Sequence, residues 1–196
     1  SVDIGNIFAI PNGIDLNCLP FHNAKAKGPC KILMLGTLSS HKGQRLGIVA
    51  FRGLLDKIPD AQLMIVGEGR DKATLESMVA ELGIAQSVHL MGRRDGIVAV
   101  FAESNVLWQL SKSEAMPMVV LEAMASGVPV VGFDVRGTRD AVANGETGYL
   151  VSYGDIDSII EKTYRLLTSD IEYRRMATNG RIRVRQFFSH DTFVKR

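Results

Sequence analysis

N-V-L-W-Q-L-S-K-S-E-A-M-P-M-V-V-L-E-A-M-A-S-G-V-P-V-V-G-F, residues 105–133, holds two apolar runs with a helix-length segment between them. N-V-L-W-Q-L (105–110) and V-P-V-V-G-F (128–133) read as strands. Pro117 divides the stretch between them. It disfavours helical backbone at Met116, yet it suits the first position of a helix. The helix is therefore expected to begin near Pro117 and to end at Gly127, which suits a C-terminal cap. Continuous apolar strands flanking a helix indicate parallel strands covered on both faces.

The same alternation extends outward in both directions. K-I-L-M-L-G-T (31–37), A-Q-L-M-I-V-G (61–67), S-V-H-L-M-G (87–92) and T-G-Y-L-V (147–151) are further strands. Residues 43–57 carry helical spacing through Leu46, Val49, Ala50, Leu54 and Leu55. Helices are also expected over about 71–82, ending at Gly83, and over 95–103, 137–143, 155–168 and 170–187. The fold class is α/β: a doubly wound, Rossmann-like parallel sheet of about six strands. Beyond this alternation there is no short-period repeat and no low-complexity tract.

The 196 residues suffice for one domain with a sizeable core. Apolar content of 46% and charged content of 22% describe an ordinary soluble protein. A net charge of +2 argues for no nucleic-acid partner. Cys18 and Cys30 form no C-x-x-C pair or metal quartet, so reduced thiols in a cytosolic protein are expected. No long apolar run or signal peptide is visible. I-F-A-I (7–10) reads as a short strand broken by Pro11-Asn12-Gly13, and residues 20–30 read as a loop. The chain opens on Ser-Val-Asp, which fits a processed chain or an excised fragment.

Ligands of doubly wound sheets bind outside the carboxyl ends of the strands. The unusual polar residues lie at such ends: Gly36 to Gly43, Gly67-Glu68-Gly69, Gly92-Arg93-Arg94, Ser111 to Glu114 and Asp134 to Gly137. Glu114 falls on the loop entering the Pro117 helix, and Glu122 about one turn inside it. Both can face a crevice before the helix N-terminus, whose unpaired N–H groups and partial positive charge suit a phosphate. Carboxylates there accept hydrogen bonds from ligand hydroxyls, and hydroxyls plus phosphate describe a nucleotide sugar. Lys42, just before a helix, is poorly placed for helix-dipole stability and well placed to meet an anion. The bland alternative is a structural helix with two incidental glutamates and a solvated lysine.

Residues 113–131 resemble the E-x7-E motif of retaining glycosyltransferases of family four, which have the GT-B fold. The match runs through S-E-x-x-P and L-E-A-M-A-S-G-V-P-V-V. I-P-N-G-I-D resembles the passage between the two domains of these enzymes. The resemblance implies the C-terminal half of a GT-B fold: a linker at 1–30 from a missing N-terminal domain, a nucleotide-sugar-binding domain at 31–188 and a tail at 189–196. It implies that Glu122 holds the ribose hydroxyls and that Lys42 and the segment Ala115, Met116, Pro117, Met118 and Val119 hold the diphosphate. Glu114 would contact hydroxyls of the donor sugar, so Lys42 and Glu114 would serve the chemistry directly.

The family's G-R-L-x-x-x-K-G matches at Lys42, but Thr37 stands where the family carries arginine. Threonine donates one hydrogen bond and no charge. Arg93, Arg94 or the missing domain could compensate. Gly92 and Arg93 sit where the family's backbone meets the nucleobase; either arginine could instead be a surface residue. Asp134, Arg136 and Asp140 occupy a loop that departs from the family pattern, and their role stays open.

The substrate implied is a nucleotide-diphosphate sugar, of the UDP or GDP kind. No cofactor and no metal are expected, since no carboxylate cluster is apparent. The acceptor, a glycan or lipid-linked glycan of polysaccharide biosynthesis, would belong to the missing domain, so this chain alone should bind donor and transfer little or nothing. The implied location is cytoplasmic, with the missing domain the part that would reach a membrane face. A glycoside hydrolase and a non-catalytic nucleotide-binding or interaction module are the rivals.

His22, His41, His89 and His190 lack metal spacing and read as structural, as does Trp108 in its apolar strand. The basic stretch 170–187, with Arg174, Arg175, Arg181, Arg183 and Arg185, is expected to pack less completely than the rest. Glu114→Ala is expected to leave nucleoside diphosphate affinity almost unchanged.

Overall fold

The computed structural model describes residues 13–189. Its core is one six-stranded sheet built from β1 (Lys31–Leu35), β2 (Gln62–Val66), β3 (Val88–Gly92), β4 (Val106–Gln109), β5 (Val130–Phe133) and β6 (Gly148–Val151). The strands run in the order β3-β2-β1-β4-β5-β6, and every pairing is parallel. The connections are α1 (Gln44–Leu55), α2 (Lys72–Glu81), α3 (Ile97–Ala102), α4 (Met118–Ser126) and α5 (Arg136–Ala141). After β6 come α6 (Ile156–Thr168) and α7 (Asp170–Phe187). The expected strands and helices are present with ends shifted by a few residues. Residues 7–10 and 190–196 lie outside the described residues.

Side chains alternate across the sheet because strand periodicity is two. Ile32, Met34, Leu63, Ile65, Trp108 and Phe133 form one layer with Ile48, Phe51 and Leu54 of α1, Leu75 of α2 and Ile159 of α6. Leu33, Met64, Leu107 and Val130 form the opposite layer with Phe101 of α3, Val120, Leu121 and Met124 of α4 and Ala141 of α5. Both faces of each inner strand are therefore covered, which explains why β4 and β5 read as unbroken apolar runs.

Trp108 is buried in the first layer, and its indole N–H donates to the Thr163 hydroxyl at 2.8 Å. This bond ties β4 to α6. Trp108→Phe leaves Thr163 buried without that partner and should cost about 1–3 kcal/mol. A lowered urea midpoint with an unchanged slope checks it; an unchanged midpoint would show that the bond adds nothing.

The expectation that 170–187 packs less completely holds for Ile171, Ile182 and Phe187, which are exposed, and not for the inner face of the helix. On α7, Tyr173, Met176, Ala177, Gly180 and Val184 are buried. Tyr173, Met176 and Ala177 join the first layer, and Val184 joins the second. Three of the arginines donate to backbone carbonyls. Arg181 donates to the carbonyls of Ala125 at 2.7 Å, Leu19 at 2.9 Å and Leu16 at 3.2 Å. Arg183 donates to the Ala141 and Asp140 carbonyls at 2.7 and 2.9 Å. Arg175 donates to the Gly145 carbonyl at 2.9 Å, and Arg174, Arg175 and Arg185 lie on the exposed face.

Residues 13–30 run over this body. Ile14 is buried and bridges to Ser189, Leu16–Cys18 form a short 3-10 helix, and the His22 N–H donates to the Ser126 carbonyl at 3.0 Å. Lys25 meets Asp170 at 2.6 Å. Cys18 and Cys30 are free thiols. Among the described residues no helix is long and apolar enough to cross a membrane.

Candidate donor-binding site

Chain direction around the sheet reverses between β1 and β4, which are neighbours in space but not in sequence. Such a switch point opens a crevice beyond the strand ends, because the two outgoing loops turn to opposite faces. Residues 36–43 leave β1 and residues 110–117 leave β4, so both loops border that crevice.

Several contacts join the two loops. The Lys112 N–H donates to the His41 carbonyl at 2.9 Å. His41 Nε2 donates to the Ser113 carbonyl at 2.9 Å and lies 3.2 Å from Ser113 Oγ. Gly43 caps α1 with φ 77°, and a Cβ there would stand 1.9 Å from the Leu110 carbonyl oxygen. Glycine is thus required both for the left-handed turn and for the approach of the loops. His41, read from the sequence as structural, is part of the clasp that sets Glu114 against Lys42.

Lys42 Nζ donates to Glu114 Oε1 at 2.6 Å, with side chains 32% and 12% exposed. The same oxygen accepts from Gln109 Nε2 at 3.0 Å, and that amide also reaches Ser111 Oγ at 3.0 Å. Burial pushes the Glu114 carboxyl up, but the Lys42, Ser111 and Gln109 contacts outweigh it and leave it below the ordinary carboxylate value. Glu114 is consequently an oriented anion near neutrality. Gln109 was hidden in the apolar strand. The signal for it was a polar residue inside a run buried on both sides, which needs a partner.

Helix α4 begins at Met118, one residue later than expected, with Pro117 as its N-cap at φ −76° and ψ 102°. The Val120 and Leu121 N–H groups return to the Pro117 carbonyl. No side chain caps the helix, and the N–H groups of Ala115, Met116, Met118 and Val119 donate to no described residue. Pro117, inside the expected phosphate-binding segment, has no N–H to offer. That segment therefore presents four amides rather than five.

The remainder of α4 explains Glu122. Val120, Leu121 and Ala123 to Ser126 are buried, whereas Met118, Val119 and Glu122 are not fully so. Positions 118, 119 and 122 are related by three and four residues and share one face. Glu122 thus shares the open face with the amides of the first turn. It makes no hydrogen bond or ion pair to a described residue, and burial raises its carboxyl pKa.

Thr37 is exposed on the β1 loop, and its carbonyl accepts from Gln44 Nε2 at 3.0 Å. Gly67-Glu68-Gly69 follows β2, with the Glu68 carbonyl accepting the Leu38 N–H at 2.9 Å. Gly92 ends β3, and its carbonyl accepts the Gly67 N–H at 2.9 Å. Arg93 and Arg94 are exposed beyond it. Because β3 is two strands from β1, this end lies about 10 Å from the Lys42 loop. Met64, Met91, Arg94, Asp95, Gly96 and Glu103 contribute to a cavity of about 150 Å³ beside it. Asp134 pairs with Arg139 at 2.6 Å, and the Gly137 N–H donates to the Glu114 carbonyl at 3.1 Å. No group of three or more His, Cys, Asp or Glu that could hold a metal ion occurs among the described residues.

A parallel sheet with unpaired amides at a helix start and a lysine–glutamate pair at its switch point has the layout of a doubly wound α/β domain. Residues 19–183 match the family model described as glycosyl transferases group 1, and the chain belongs to that family. It is 32% identical over 147 residues to the N-acetyl-alpha-D-glucosaminyl L-malate synthase of Bacillus anthracis, covering 75% of this chain and 38% of that protein. The fold matches Anabaena HepE, solved with UDP and glucose, at a TM-score of 0.86 and 22% identity, covering 94% and 53% of the two chains. It also matches the C-terminal domain of the group 1 glycosyl transferase LpcC from Francisella tularensis at a TM-score of 0.79 and 22% identity, covering 91% of this chain and all of that one. The architecture is thus that of GT-B glycosyltransferases. The chain spans half or less of the length of the first curated relatives it matches.

Proposed function

We propose that this chain is the donor-binding domain of a two-domain glycosyltransferase. It would hold a nucleotide-diphosphate sugar whose sugar passes to an acceptor glycan or lipid-linked glycan with retention of configuration. The observation that carries the reading is the Lys42–Glu114 pair at the switch point, beside the free amides of α4. Lys42 and the amides of Ala115, Met116, Met118 and Val119 would take the diphosphate and stabilise the charge that grows on it as the glycosidic bond breaks. Glu114 would accept hydroxyls of the sugar, and Glu122 those of the ribose. Gly92 and Arg93 would border the base, and Thr37 would donate a single hydrogen bond. HepE was solved with UDP and glucose, which favours a uridine nucleotide as the first to test. The acceptor side would come from an N-terminal domain, so this chain alone would bind donor and transfer little. No metal is assigned a role, and a cytoplasmic setting follows from a cytoplasmic nucleotide sugar.

Calorimetric titration with UDP, GDP and ADP tests this. One of them should bind the parent chain. Glu122→Ala should then weaken it about ten- to a hundredfold, since hydrogen bonds to a charged acceptor contribute roughly 1.5–3 kcal/mol. Parent and variant binding alike would remove Glu122 from the site.

A further inference from the structure

We propose that Glu114 makes this site prefer the intact nucleotide sugar over the nucleoside diphosphate left after transfer, by competing with the terminal phosphate for Lys42. This rests on the donor-site reading above and goes beyond it, because it turns an assumed sugar contact into a device that discriminates donor from product.

The geometry is direct. The lysine ammonium is bonded to Glu114 at 2.6 Å, so the cation meant for the phosphates has a carboxylate already against it. That carboxylate is held in place. Its side chain is only 12% exposed, its Oε1 also accepts from Gln109, and its own carbonyl accepts the Gly137 N–H. Lys42, on a long stem and 32% exposed, is the less buried member. Among the described residues, no cation other than Lys42 is bonded to Glu114. Thr37 brings no charge, His41 is bonded to Ser113, and Arg93 stands two strands away.

The two ligands differ in what they present to that carboxylate. In a nucleotide sugar each phosphorus carries about one negative charge, and the terminal phosphate ends in a sugar whose hydroxyls can donate to Glu114. Transfer breaks the bond between the sugar's anomeric carbon and the terminal phosphate oxygen and leaves the electron pair on that oxygen. A bond forms to the acceptor oxygen, and the acceptor's proton passes to solvent at neutral pH. The terminal phosphate, with a second pKa of about 6, then carries nearly one further charge, and the hydroxyl donors are gone. A fixed carboxylate that attracted the donor now repels the product and competes for the same ammonium. Product release is favoured without any movement of the backbone.

The test is the ratio of dissociation constants for UDP and UDP-glucose, and for GDP with GDP-mannose and ADP with ADP-glucose, in the parent chain and in Glu114→Gln. Glu114→Gln keeps the shape and removes the charge. The account expects nucleoside diphosphate to bind about tenfold tighter in the variant while the nucleotide sugar gains nothing, so the ratio falls by that factor or more. Glu114→Ala also removes the carboxylate and must move the ratio the same way, so either variant decides if the other fails to fold. A ratio unchanged within twofold, or nucleoside diphosphate affinity that is unchanged or weakened by loss of the carboxylate, overturns the proposal while leaving the donor site intact, even where a lost sugar contact lowers the ratio. Failure of every diphosphate to bind even the parent chain removes the donor-site reading and the proposal together.

Discussion

Lys42→Ala should weaken nucleoside diphosphate binding by about a hundredfold, weaken monophosphate much less, and leave nucleoside affinity nearly unchanged. Two losses add in the same direction. The diphosphate loses a charge-assisted hydrogen bond, and Glu114 loses the partner that neutralises it at 2.6 Å. The diphosphate would then face a largely buried carboxylate with only backbone amides to offset it. Titration with uridine, UMP and UDP separates the contributions, because only the last places a phosphate at the lysine. Equal weakening across all three ligands would indicate damage to the fold rather than loss of a phosphate contact.

Gly43→Ala should abolish tight diphosphate binding and destabilise the chain by about 3 kcal/mol, the upper end expected for strained backbone. Its φ of 77° already disfavours a side chain, and the added carbon would stand 1.9 Å from the Leu110 carbonyl oxygen. The clash is with backbone, so the β1 and β4 loops must separate, carrying Lys42 away from Glu114. Gly28→Ala is the control: φ is 93° there, but no atom lies within 4 Å of the added carbon. It should cost only the strain of the left-handed conformation, about 1–2 kcal/mol, and leave binding intact. Thermal unfolding and diphosphate titration of both variants check the contrast. Equal behaviour would mean that the loop contact is not what holds the site together.

Much of this architecture is legible in the residues, and the parts that are not have physical reasons. β4 and β5 announce themselves because a strand covered on both faces must be apolar throughout, as Val106 to Trp108 and Val130 to Phe133 are. Pro117 and Gly127 bracket α4 within one residue, since both act on local backbone. The loops carrying Lys42 and Glu114 were placed at strand ends by the alternation alone, but their meeting depends on β1 and β4 being neighbours. That adjacency is a long-range pairing which strand patterns do not encode. Gln109 and His41 escaped for the same reason: each acts across the crevice, on Glu114 and on Ser113. Which arginines of α7 act structurally is not legible, because sequence does not reveal which guanidinium finds a carbonyl. Arg181 finds three, from Leu16, Leu19 and Ala125, and helps fasten the inner face of the helix. The competition proposed for Lys42 would replace the expectation for Glu114→Ala, because Glu114 is bonded to the ammonium that a diphosphate would need.

The central claim is that a nucleoside diphosphate sits between the β1 loop and the first turn of α4. Amide chemical shifts of the labelled chain, followed during titration with UDP and then GDP, test it most directly. The account predicts the largest changes at Lys42, Ala115, Met116, Met118, Val119 and Glu122, smaller ones at Gly92 and Arg93, and none in the groove formed by Ala143, Asn179 and Gln186 at α7. Saturable changes confined to that groove, or no changes with either nucleotide, would contradict it.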